Sequence, residues 1–141
     1  MPETAPPAAP SAYRASVDGI ETAYEFMLAY AAQGRDREGV GGDASPIRAH
    51  LETMRDGLAV IAEQARAEAA SGGELPDAFA AFVDVLEADA RVARTKVELA
   101  LSLRSIGSAI VDNMNASIHV RALLTDIFLL DEYLKARRRG G

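Results

Sequence analysis

Along most of this chain apolar residues recur in alternating steps of three and four. Ile47, Leu51, Met54, Leu58, Ile61 and Ala65 form one such series, and Phe79, Val83, Leu86, Ala90, Ala93 and Val97 form another. That spacing keeps side chains on one face of an α-helix and would scatter them over both faces of a strand. Held for about three heptads, it describes a seam that must be buried against other helices. The composition agrees. Alanine is abundant, β-branched residues are few and aromatics are 6%, which favours helix over sheet.

Punctuation divides the seams into segments. Residues 1–10 hold four prolines, so they are expected to be an extended, disordered Pro/Ala-rich tail outside the fold. A first helix is expected from Ser11 to Gln33, with Tyr13, Val17, Ile20, Tyr24, Met27 and Ala31 on its face and Gly34 as the left-handed stop. Gly34 to Asp43 reads as a mobile polar loop. Ser45 and Pro46 have the order of an N-cap and a first helical residue, and Ser71-Gly72-Gly73 ends the second helix. Gly57 inside it weakens the helix by about 1 kcal/mol relative to alanine, which suits a place where another helix comes close. Leu75-Pro76-Asp77 starts the third.

Beyond Leu99 the apolar face rotates twice by about a quarter turn, more than the roughly 20° per heptad of a straight helix against a heptad seam. Two breaks fit: Ser105-Ile106-Gly107-Ser108, with Gly107 as a C′ residue and Ser108 as the next N-cap, and Asp112-Asn113-Met114-Asn115. The first is preferred, which gives a fourth helix from Ser108 to about Arg138 and a flexible basic and glycine tail at 139–141. The expected fold is all-α: an antiparallel, up-down four-helix bundle over residues 11–138, with the alternative that helices 3 and 4 run together as one long bent helix.

Charge and motifs narrow the function. The net charge is −6, and four of the positive charges, Lys135, Arg137, Arg138 and Arg139, sit together at the C-terminus, so the remainder carries −10 (−6 minus +4). An acidic body disfavours nucleic acid. The aliphatic and aromatic runs, Ile127-Phe128-Leu129-Leu130 among them, are far short of the roughly 20 residues of a membrane span. Met1-Pro2-Glu3-Thr4 has no secretory character, so a cytoplasmic location is expected. The basic residues are 13 arginines against 2 lysines, and with the high alanine and glycine content that bias resembles coding from a GC-rich bacterial genome.

The absence of cysteine removes thiolate metal sites and cysteine nucleophiles. A two-metal site in a helical bundle needs Glu-x-x-His twice. Ile47 precedes His50 by three residues and Ala116 precedes His119 by three, so the motif fails at both histidines. No metal or cofactor is expected, and His50 and His119 remain the candidate ligands if one exists. Asp112, Asn115, His119 and Asp126 share one helical stripe, read as a solvated face or a polar layer that sets register. Asp18, Glu21 and Glu25 read as a solvated acidic face on helix 1. Gly39-Val40-Gly41-Gly42 lacks the Lys-Ser/Thr of a phosphate loop, and Gly-x-Ser-x-Gly is missing.

Binding is better supported than catalysis. Leu123, Leu124, Ile127, Phe128, Leu129, Leu130, Tyr133 and Leu134 wrap most of the circumference of helix 4. A helix apolar nearly all round is covered on several sides, so a contact with another copy or another protein is expected through Leu124, Ile127, Phe128, Leu129, Leu130, Tyr133 and Leu134. Lys135, Arg137, Arg138 and Arg139 would serve as an electrostatic anchor for an acidic partner, or stabilise the helix end. The expectation is a non-enzymatic interaction module, an adaptor, assembly factor or small regulator, acting as a homo-oligomer. The alternatives are a metal- or small-cofactor-binding bundle, which could be an enzyme, and a coat for an apolar surface. The last rests on composition: alanine-rich helices without cysteine resemble the phasins that cover storage granules, which implies helices that open onto the surface they coat.

Overall fold

The computed structural model describes residues 11–38 and 46–140. Among them all regular structure is helical: α1 (Ala12–Ala32), α2 (Pro46–Ala70), α3 (Asp77–Leu101), α4 (Ser108–Asn115) and α5 (Ile118–Gly140). There are five helices rather than the expected four. The chain breaks at the first candidate, so helix 3 is separate from its successor; the second candidate is helical and ends α4, but a break follows directly at Ala116 and Ser117, so the expected fourth helix is itself divided. The last helix also runs to Gly140 rather than stopping at Arg138. The expected Pro/Ala tail, the Ser45 cap, Gly39 to Asp43 and Gly141 lie outside the described residues.

Local chemistry sets the ends. The Ser11 hydroxyl accepts the Arg14 N–H at 3.1 Å and caps α1. Gly34, at φ 64°, supplies the left-handed residue after it. Pro46 opens α2 and Pro76 precedes α3, where a missing N–H leaves no bond unmade.

The seams close on one another. Every predicted face residue of α2 and α3 is buried, as are Tyr13, Val17, Ile20 and Met27 of α1. Neighbouring helices are keyed by specific pairs. Phe26 stacks on His50 at 4.2 Å, Arg66 of α2 binds Asp84 and Glu87 of α3, and Phe79 meets Tyr133 at 5.6 Å. Gly57 lies against Ile20, so close that a Cβ there would be 3.0 Å from its Cγ1, which is the helix approach its position in the sequence suggested. Glu87 reaches Arg66 across the seam at 2.7 Å.

α4 packs chiefly on α1, and α5 packs on α3. The turn between α3 and α4 is fastened to the end of α1. Ser108 N–H donates to the Arg35 carbonyl at 2.7 Å, its hydroxyl donates to the Tyr30 carbonyl at 2.7 Å, and the Arg35 N–H donates to that hydroxyl at 2.8 Å. Tyr30 Oη donates to the Ile106 carbonyl. Glu38 receives the Ile106 N–H at 2.8 Å and Arg48 at 2.7 Å, while Arg48 also donates to the Leu101 and Leu103 carbonyls. Residues 35–38, expected to be part of a mobile loop, are therefore pinned, because their backbone groups find partners in the 101–108 turn. Gly107 is the residue before α4, with φ −87°, and not a left-handed C′ stop. Its lack of a side chain serves proximity: a Cβ there would stand 2.8 Å from the Asp36 carbonyl oxygen.

Candidate functional site

The C-terminal helix carries the two features that the sequence nominated, and the structure rearranges both. Of the seven expected interface residues, Leu124, Ile127 and Leu130 are core residues of this chain. Tyr133 and Leu134 are half-buried and pack against that core. Only Phe128 and Leu129 face outward, 55% and 56% exposed. The near-complete apolar wrap has a local cause. α5 lies on α3 with one face and is reached by Tyr13 and Arg14 of α1 from another, through Asp131. Most of the wrap is consumed inside the molecule, and two adjacent side chains are left over.

The basic end is similarly divided. Arg137, Arg138 and Arg139 occupy the last turn of α5, where cations stabilise the carbonyl end of a helix. Lys135 lies 3.5 Å from Glu132 on the same helix. Arg137 donates to the Glu74 carbonyl at 2.9 Å, tying α5 to the α2–α3 connection. Arg137 and Arg138 then line a cavity of about 570 Å³ together with Arg14, Glu68, Leu75 and Leu134. Arg14 comes from the first turn of α1, more than a hundred residues away. It is held by Asp131 at 3.1 Å, and Asp131 also receives the Tyr13 hydroxyl at 2.9 Å. Burial, followed by the Asp131 charge, raises the Tyr13 phenol, so it stays protonated and donating.

A third cluster lies between α3 and α5. Asp126 faces Asp89, and its Oδ2 is buried with no donor among the described residues. Burial first, then the hydrogen bond and charge of Asp89, push the Asp126 carboxyl up to about 7. Asn115, on the same sequence stripe, is buried with neither amide atom bonded.

The remaining nominations fall apart spatially or lie beyond description. His50 is stacked on Phe26, and the His119 side chain lies outside the described residues. Among those residues no group of three or more His, Asp or Glu side chains is placed to hold a metal ion. Asp18 lies 3.9 Å from Arg14, and burial raises the Glu21 carboxyl above its usual range. No described helix is long and apolar enough to cross a membrane. Comparison of the chain with protein-family models, with curated proteins and with solved structures finds no match.

Proposed function

We propose that this chain is a non-enzymatic helical interaction module, an adaptor, assembly factor or small regulator of the cytoplasm, that acts as a homo-oligomer through the outer face of α5. In this reading the five helices make an up-down bundle of four limbs, the fourth limb being α4 and α5 in succession. The observation that carries the reading is the Phe128–Leu129 pair, two large apolar side chains side by side and each more than half exposed. Complete burial of such side chains contributes about 1.5–3 kcal/mol each relative to exposure, so a twofold contact that covers both pairs has a substantial apolar centre.

Sedimentation velocity over a range of concentrations tests this. The wild-type chain should associate, and F128E/L129E should sediment as a monomer with an unchanged helical spectrum. A wild-type chain that stays monomeric at the highest concentration reached would overturn the homo-oligomer reading.

A further inference from the structure

We propose that the arginine-lined cavity at one end of the bundle binds a small molecule that carries an oxyanion, phosphate or carboxylate, on an apolar body. The volume of about 570 Å³ lies within the range of small-molecule sites. Three guanidinium groups line it, from Arg14 on α1 and from Arg137 and Arg138 on α5, against one carboxylate, Glu68. The lining thus carries +2 (+3 minus 1) in a chain whose net charge is −6. Counting Asp131, which neutralises Arg14, the excess is still +1.

The arginines are positioned but not used up. Arg14 is held through Asp131, and Arg137 through the Glu74 carbonyl. Arg138 donates from Nε to the Leu134 carbonyl of its own helix at 3.3 Å, so its terminal nitrogens keep their donors. Each guanidinium has five N–H groups in a planar fork that matches a carboxylate or phosphate. Among the described residues no carboxylate forms an ion pair with Arg137 or Arg138. Glu68 lines the same cavity and has no ion pair there either, so the cavity has not closed on its own charges. Ala69, Leu75 and Leu134 supply an apolar wall beside the donors, which suits a ligand with a hydrocarbon or aromatic body.

The test is thermal unfolding of the full chain in sodium phosphate, sodium citrate and phenyl phosphate, each against sodium chloride at the same ionic strength and pH. A ligand that binds only the folded chain raises Tm in proportion to ln(1 + [L]/Kd), whereas screening alone acts equally in chloride. Tm should rise in at least one oxyanion. A response to phosphate alone identifies a phosphate ester, a response to citrate alone a carboxylate, and a response to both the shared oxyanion chemistry. Phenyl phosphate should bind about tenfold or more tightly than inorganic phosphate if the wall takes the ring, and equal binding would overturn the apolar part. R137Q/R138Q should lose the response, while R139Q, at the same helix end but outside the cavity, should keep it. No oxyanion response beyond chloride, or a response that survives R137Q/R138Q, would overturn the site. F128E/L129E should retain the response, so failure of the oligomer reading and failure of this one are distinguishable.

Discussion

Replacing Ser108 with alanine tests whether the turn before α4 is fastened by its hydroxyl. Ser108 is 3% exposed. The substitution keeps its backbone bond to the Arg35 carbonyl and removes two others, to the Tyr30 carbonyl and from the Arg35 N–H. The losses are unequal. The Tyr30 carbonyl still accepts from the Gln33 N–H at 3.1 Å, whereas the Arg35 N–H loses the acceptor it has. The Arg35 N–H bond is only part-buried, so orphaning that donor costs about 1–2 kcal/mol, and the lost second bond costs about 1 more, which makes about 2–3 kcal/mol in total. In a chain of this size that lowers Tm by about 6–12 °C. Urea unfolding followed by far-ultraviolet circular dichroism gives the free energy, with an unchanged m-value showing that the same surface is exposed. S105A is the control. Ser105 accepts the Glu38 N–H at an exposed site, where water can replace it, so its cost should stay below about 0.5 kcal/mol. If S108A is as mild as S105A, the hydroxyl does not hold the turn.

Gly107→Ala should destabilise by about 1–3 kcal/mol, since the new methyl would stand 2.8 Å from the Asp36 carbonyl oxygen and the turn would have to move; the same urea titration measures it, and a neutral result would mean the turn yields freely. Asp126→Asn should flatten the pH dependence of stability. With its pKa raised from 3.8 to about 7 on folding, Asp126 keeps a proton in the folded chain that the unfolded chain has released, so stability should fall as pH rises from about 4 to about 7 and level off above. Unfolding curves across that window compare wild type with variant, and equal slopes would refute the raised Asp126 carboxyl.

The seams of α2 and α3 were legible in the sequence because burial there is periodic and local. Two things were not. The break at Ala116 and Ser117 has no glycine or proline; it is closed by short backbone bonds, Ala116 N–H to Asp112 and Ser117 N–H to Met114, and only the polar run just before it hinted at an end. The pinning of residues 35–38 is equally invisible, because their partners lie some 70 positions away. The candidate sites divide the same way. Periodicity exposes a surplus of apolar residues on α5 but cannot say which of them α3 covers, and so it nominated seven where two remain outside. Arg137 and Arg138 stood out as a basic run, yet Arg14 carried no sign that it would meet them.

Splitting the last limb gives its two halves different hosts. α4 belongs to α1, while α5 rests on α3, is stitched to α1 through Asp131 and is tied to the α2–α3 connection through Arg137. Lifting α5 away therefore severs its interface with α3 and those two ties, and leaves the latch at Ser108 shut, so partial opening has a natural place to begin. That same rod bears the bared Phe128–Leu129 pair and two of the three guanidiniums. Anything that seats at one of them weighs on the docking equilibrium felt by the other.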